Sequence, residues 1–424
     1  MKRTFLLLLP ALAAATPAAA QSALQRDITS DVRYLADDRL AGRKIGSPGA
    51  DSAADYIAKR FQRIGLQPGP GGWFQNFTVD PSAPAAANAG LANGATGRNV
   101  VAVLAGRDKR LRDEVIIVGA HYDHLGLGGF GSLAPDSTGQ VHNGADDNAS
   151  GVSAILAIAK ELKDHRPDRT IVFIAFSGEE EGLLGSDYYA KHPLFPLDRT
   201  MAMLNFDMVG RLRNDRLIIY GAGTALEWPR LLDSLNGTYH FDLHATGDGY
   251  GPSDQASFYA RHRPVLFFFT DLHEQYHRPS DDFALINEDG IVRIAGLARD
   301  VIQVIGGLPG PLSFVDLPPP QPTGGQSTTV VTPGYGAYLG SIPDMSETPG
   351  GVLIAGVHAG SPAETAGLKG GDILVRMGDV EVKDLQGLTD ILRSHKAGDT
   401  VEVVYIRDGQ RISTRVTFGR RGGS

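Results

Sequence analysis

The chain has 424 residues, 42% apolar and 21% charged, an ordinary globular composition that at this length predicts two to three domains. Its formal net charge of −8, or −10 once Lys2 and Arg3 are set aside, argues against a nucleic-acid partner, and no basic cluster offsets that charge. With no cysteine there is neither a disulfide nor a lipid-modified thiol.

The N-terminus reads as a secretory leader over residues 1–20. Lys2-Arg3 supply its charged region, Phe5 to about Ala15 its apolar region, and Ala18-Ala19-Ala20 a small-residue cleavage site before Gln21. The apolar run falls short of the roughly 20 residues that span a bilayer, and no other segment approaches that length. The mature chain is therefore expected to have no membrane span. So short and Ala-rich a leader predicts export to a bacterial periplasm.

From residue 27 to 308, strand-like and helix-like patterns alternate. Asp51–Leu66 carries Ala54, Ile57, Phe61 and Ile64 at helical spacing, and Asn99–Ala105 and Glu114–Ala120 read as strands. A helix follows over Val152–Leu162, then strands at 170–176, 202–207, 216–220 and 264–269, with further helices at Trp228–Leu235 and Ile291–Ile305. Such alternation predicts an α/β fold, a mostly parallel mixed sheet covered by helices on both faces. Pro309 to Thr332, with a Pro triplet at 318–320, has the composition of a linker. The expected organisation is a catalytic domain over 21–312, a linker over 313–332 and a small β-rich domain over 333–420.

Carboxylates and imidazoles gather where the strands end. The run 170–176 leads into Ser177-Gly178-Glu179-Glu180-Glu181-Gly182, 115–120 into His121-Tyr122-Asp123, and 203–206 into Asp207. In α/β sheets the carboxyl ends of strands carry the chemistry. Adjacent carboxylates there must be compensated by cations or protons, and an oxygen- and imidazole-rich cluster suits zinc or a similar divalent ion. That predicts a metal-dependent hydrolase. Taken singly, the pieces are weaker. Gly144-Ala145-Asp146-Asp147-Asn148-Ala149-Ser150-Gly151 could be an Asx turn capping a helix, and His121 with Asp123 could be a structural pair.

The order His121, Asp147, Glu179-Glu180, Asp207, His277 resembles the co-catalytic zinc aminopeptidase family, which also includes glutamate carboxypeptidases and glutaminyl cyclases. The resemblance covers nearly all of 27–308 and extends to Leu40-Ala41-Gly42-Arg43-Lys44-Ile45-Gly46-Ser47-Pro48-Gly49 and Gly182-Leu183-Leu184-Gly185-Ser186. It implies two Zn2+ per chain bridged by Asp147, with His121 and Asp207 completing one position and Glu180 and His277 the other. Asp146 is the competing choice for the bridge. The resemblance also implies that Asp123 fixes the His121 tautomer, that Glu179 is the general base and that Tyr250 lies near the scissile carbonyl. A cis peptide between Asp147 and Asn148 is a further implication. His273-Glu274-Gln275-Tyr276-His277 is literally the H-E-x-x-H of single-zinc proteases. That motif needs a helix, which the strand just before it and Pro279 just after it disfavour. His124, His142, His192 and His244 read as surface or supporting residues.

Gly336-Ala337-Tyr338-Leu339-Gly340-Ser341-Ile342 and Gly360-Ser361-Pro362-Ala363-Glu364-Thr365-Ala366-Gly367-Leu368 resemble a PDZ domain of the protease-associated type, with a helix at Leu385–Arg393. Tyr338, Leu339, Gly340 and Ser341 would form the loop that receives a peptide's terminal carboxylate. A stabilising module without a ligand is the alternative. The expected function is an exported zinc aminopeptidase acting on peptides with a free N-terminus, with peptide or protein C-termini as possible occupants of the PDZ groove. A carboxypeptidase or glutaminyl cyclase of the same family, and a catalytically dead peptide-binding protein, are the rivals. Cyclases use one zinc held like Asp147, Glu180 and His277, so the retained His121 and Asp207 argue against that reading.

Overall fold

The computed structural model describes residues 18–317 except 81–90, 92–93, 130, 248 and 250–252, and residues 337–419 except 344–349, 358–359, 384–386, 389–390 and 393–394. The expected leader up to residue 17, Tyr250 and most of the expected linker lie outside the described residues. Among the described residues no helix is long and apolar enough to cross a membrane.

The larger unit is built on β1 (Gln67–Pro68), β2 (Phe74–Thr78), β3 (Thr96–Leu104), β4 (Val115–His121), β5 (Thr170–Phe176), β6 (Thr200–Phe206), β7 (Arg216–Tyr220), β8 (Asp242–Ala245) and β9 (Val265–Phe269). They form one nine-stranded sheet in the order β1-β3-β5-β4-β6-β9-β7-β8, with β2 also paired to β3. β5, β4, β6 and β9 run parallel at the centre. β3 joins β5 and β7 joins β9 antiparallel, so the sheet is mixed with a parallel heart. The central strands are buried on both faces, which is why they read as continuous apolar runs.

Alternate residues supply two cores. Ile116, Val118, Ile171 and Phe173 face the larger one with α1 (Ala18–Leu35), α2 (Pro48–Ile64) and α3 (Gly151–Asp164). Val115, Ile117, Val172 and Ile174 face the smaller, with Tyr189, Phe258 and Tyr259. α2 begins at Pro48 rather than Asp51, because the Ser47 hydroxyl accepts the Ala50 N–H at 3.1 Å and Pro48 occupies the first turn. α1 adds a helix that the sequence pattern does not announce. Its Leu24, Ile28, Val32 and Leu35 are buried, and Asp31 accepts hydrogen bonds from Tyr56 Oη at 2.6 Å and Arg60 Nε at 2.6 Å.

The described start of the expected linker, 313–317, is packed onto this unit rather than free. Phe314 bridges Ala225 and lies against Tyr259, Val315 donates to the Thr224 carbonyl, and the Leu317 N–H donates to Tyr259 Oη at 2.7 Å. Apolar Leu312, Phe314 and Leu317 make a strap from a stretch whose Pro and Gly content suggested none.

The smaller unit is a six-stranded sheet with its own core, comprising β10 (Ser341–Pro343), β11 (Val352–Val357), β12 (Ile373–Met377), β13 (Val380–Glu381), β14 (Thr400–Arg407) and β15 (Gln410–Thr417). The Ser361 hydroxyl caps a short helix, Pro362–Thr365, and buried Asp372 accepts both Arg407 Nε and Nη2, at 2.6 and 2.7 Å. Of the expected helix Leu385–Arg393 only 387–388 and 391–392 are described, and they are helical.

Candidate metal centre

His121 ends β4, Glu179-Glu180 follow β5, Asp207 follows β6 and His277 follows β9, all at the carboxyl edge of the parallel strands. Asp147 sits in the distorted turn Ala145–Ser150 before α3, where Asp147 (φ −104°, ψ 92°) and Asn148 (φ −134°, ψ 44°) leave helical geometry and their peptide bond is cis. Asn148 ties the turn to β6 by donating from Nδ2 to the Phe206 carbonyl at 2.9 Å and accepting the Gly151 N–H on Oδ1 at 2.9 Å.

The five residues converge. Asp147 divides its oxygens, with Oδ1 3.3 Å from His121 Nε2 and Oδ2 3.1 Å from His277 Nε2. Asp207 Oδ1 lies 3.2 Å from His121 Nε2, and Glu180 Oε2 3.2 Å from His277 Nε2. None of the five is more than 8% exposed. The competitor Asp146 turns away: its Oδ1 accepts from the Gly210 N–H at 2.6 Å and Ser150 Oγ at 3.0 Å, and its Oδ2 meets His273 Nε2 at 3.1 Å.

The donors fit divalent cations. A tetrahedral zinc with bonds near 2.0–2.2 Å separates its ligand atoms by about 3.3–3.6 Å, a little above the 3.1–3.3 Å found here. The close ion-pair contacts of these carboxylates are with imidazoles. Burial would lower the pKa of His277, yet Glu180 and Asp147 carry it up to about 10. Burial likewise opposes protonated His121, but Asp207 and Glu179 outweigh it and raise its pKa well above the usual range. Burial would raise Asp147, but His124, His121 and His277 hold it well below. The cluster draws positive charge to where metal would sit.

Supporting groups hold the edge in place. Asp123 reaches His121 Nδ1 through its backbone carbonyl at 3.2 Å, with the carboxylate 3.9 Å away. That carboxylate instead accepts the N–H groups of Glu179 and Glu180, at 3.2 and 3.3 Å. Ser253 Oγ donates to Asp207 Oδ2 at 2.7 Å. Asp281 accepts the Asp146 and Asp147 N–H groups at 3.0 and 3.1 Å. Fully buried Arg43 donates to the carbonyls of Tyr122 at 2.7 Å, Asn143 at 2.6 Å, Gly144 at 3.0 Å and Leu35. Those four carbonyls give Arg43, within the motif at 40–49, its role: it joins the end of β4 to the loop before Asp147.

His273 and His277 do not share a helix face. They lie in a turn, His277 with φ 55°, and His273 Nε2 meets Asp146 Oδ2 at 3.1 Å. His273→Ala is expected to keep its zinc but lose about 1–3 kcal/mol of stability by stranding a buried Asp146 oxygen, read from zinc content and thermal melting. Of the histidines read as surface or supporting residues, His124 lies against the cluster. It is fully buried, with Nδ1 2.7 Å from Glu180 Oε1 and 3.9 Å from Asp147 Oδ2. Its only sequence signal is its place three residues after His121.

Residues 99–302 match the model of peptidase family M28, and residues 327–418 that of a PDZ domain. The chain carries an M28 peptidase domain. Aminopeptidase YwaD of Bacillus subtilis is 37% identical over 116 residues, 27% of this chain and 22% of that one. An aminopeptidase from Aneurinibacillus superposes with a TM-score of 0.52 at 20% identity, covering 69% of this chain and 96% of its own. A glutaminyl cyclase of Bacteroides thetaiotaomicron does so with 0.54 at 16% identity, covering 68% and 99%. These two likenesses show the zinc exopeptidase fold. The chain spans 18% and 41% of the first two curated relatives it matches.

In the PDZ unit, Leu339 is buried and its carbonyl accepts the Ala363 N–H, Tyr338 pairs with Gly419, and Ser341 opens β10. Gly340 (φ 78°) must be glycine, since a Cβ would stand 2.3 Å from Ser361 Cβ.

Proposed function

We propose that the M28 domain is an aminopeptidase that removes N-terminal residues from peptides with two zinc ions held by this cluster. The divided Asp147 carboxylate carries the reading. One oxygen completes a set with His121 and Asp207, the other a set with Glu180 and His277. Zinc in these positions supplies a Lewis acid for the scissile carbonyl and lowers the pKa of water from about 15.7 towards about 7.

Glu179 does the proton work. Its Oε2 stands 3.9 Å from His121 Nε2, outside the close donor spacings, while Asp123 fixes its backbone N–H. Burial first, then Glu180, Asp207 and Asp254, push its carboxyl well above the usual range against the pull of His121, which makes it a stronger base. It takes a proton from the attacking water and passes it to the departing amine nitrogen. The complete His121–Asp207 set argues against a cyclase.

The reading includes export to the periplasm through the leader, and a PDZ groove at Tyr338–Ser341 that retains peptide C-termini. A chain ending at Leu317 should still hydrolyse small aminoacyl reporters, while long peptides with apolar C-termini lose apparent affinity because the tethered groove is gone. Ending at Leu308 instead should cost a further 2–4 kcal/mol, roughly, by uncovering the contacts of Leu312 and Phe314. A panel of aminoacyl reporters with zinc measured in parallel tests the whole. Chelator-sensitive release of N-terminal residues, restored by zinc, is expected. Cleavage of only N-blocked peptides would make the enzyme a carboxypeptidase, and ring closure of N-terminal glutamine without hydrolysis a cyclase.

A further inference from the structure

His124 approaches the cluster differently from its neighbours. The donor pairs of His121 and His277 lie 3.1–3.3 Å apart, the edges of a coordination tetrahedron. His124 Nδ1 is 2.7 Å from Glu180 Oε1 and 3.9 Å from Asp147 Oδ2, which no shared tetrahedron gives. A separation of 2.7 Å is that of a hydrogen bond to a carboxylate.

The site is built for this ring. Gly144 has φ 56°, and a Cβ there would stand 2.5 Å from His124 Cδ2 and Cγ and 2.0 Å from the Asp147 carbonyl oxygen. The ring meets His277 edge-on, centroids 5.7 Å apart at 74°. Nε2 is buried without a protein partner among the described residues. A carboxylate oxygen accepts, so the ring nitrogen 2.7 Å from Glu180 Oε1 is the donor of that pair.

We propose that His124 is a positioning residue that donates Nδ1–H to Glu180 Oε1, turning Oε2 toward His277 and so tuning the second metal position alone. This rests on the reading in which Glu180, His277 and Asp147 hold the second ion. At the first position the counterpart is a hydroxyl, Ser253 Oγ donating to Asp207 Oδ2 at 2.7 Å, so the two positions are held by different donors. The device is specific to one ring nitrogen. Asparagine can place its amide N–H near Nδ1, whereas glutamine reaches toward Nε2.

The test measures zinc per full-length chain across graded chelator concentrations, with circular dichroism confirming the fold. His124→Leu should release one of two ions about 10- to 100-fold more readily than wild type, and leave the other unchanged. His124→Asn should hold both near wild-type strength, and His124→Gln should behave like the leucine variant. If the leucine variant does not fold, the Asn and Gln pair still decides. Retention of both ions by every variant overturns the proposal. Loss of the ion from Asn as fully as from Gln also overturns it, making His124 a ligand or a packing residue. The underlying reading fails separately: a wild type that never holds two ions, or a His277→Ala variant that holds both, sinks that reading and the proposal with it.

Discussion

Glu179→Gln is expected to keep the zinc content of the wild type and lose about 100- to 10,000-fold in kcat, the range that a general base supplies. Glutamine keeps the shape, the backbone N–H held by Asp123 and the donor spacings of His121, Asp147, Asp207, Glu180 and His277, none of which uses the Glu179 side chain. What it removes is the carboxylate oxygen that takes the proton in the proposed reading. The same role sets the acid limb of the pH profile. The base must be deprotonated, so activity should fall as pH drops through its pKa. Burial and neighbouring carboxylates raise that pKa, and bound cations lower it. Measured against Glu180→Gln, which should release zinc, Glu179→Gln separates base from ligand. A Glu179→Gln enzyme that loses zinc together with activity would contradict the assignment.

The largest stability loss is expected at Arg43. Its guanidinium is fully buried and satisfies the carbonyls of Leu35, Tyr122, Asn143 and Gly144. Burial, against the pull of Asp123 and Asp147, lowers its pKa to about 10, so it remains charged at neutral pH. Arg43→Met fills much of the space but takes the guanidinium donors from the carbonyls of Leu35, Tyr122 and Asn143, while Gly144 keeps the Ala149 N–H at 3.2 Å, and each stranded polar group costs about 1–3 kcal/mol before relaxation. A total near 3–5 kcal/mol is expected, roughly two such groups after the rest relax, read as a lowered denaturant midpoint of the peptidase unit with the PDZ unit unchanged. The variant should also bind zinc more weakly, because Asn143 and Gly144 lead into the Asp147 turn. An unchanged midpoint would mean that these carbonyls find other donors.

The parts legible in the sequence share a physical reason. β4, β5, β6 and β9 are buried on both faces, so their residues are mostly apolar, and the polar residues that follow them stand out. That contrast marks His121, Glu179, Glu180 and Asp207, while His277, well past the end of β9, is found through the family resemblance. α1 is hidden because its apolar stripe is one residue wide, with Gln25, Arg26 and Asp27 between Leu24 and Ile28. The strand Asp242–Ala245 is hidden because it is an edge strand largely open to solvent, with no apolar run to show. The strap at 312–317 is masked by its composition, and His124 by ambiguity. A loop histidine near a metal site reads the same whether it faces water or a carboxylate, and only the fold places Gly144 beneath it and Glu180 beside it.

The most direct measurement of the central claim is the zinc content of the saturated full-length chain, compared between wild type and Asp147→Asn. If Asp147 serves both positions, wild type holds two ions and Asp147→Asn weakens the binding of both at once. Saturation at one ion, or an Asp147→Asn chain that loses one ion and holds the other at wild-type strength, would contradict the shared carboxylate and the dinuclear reading with it.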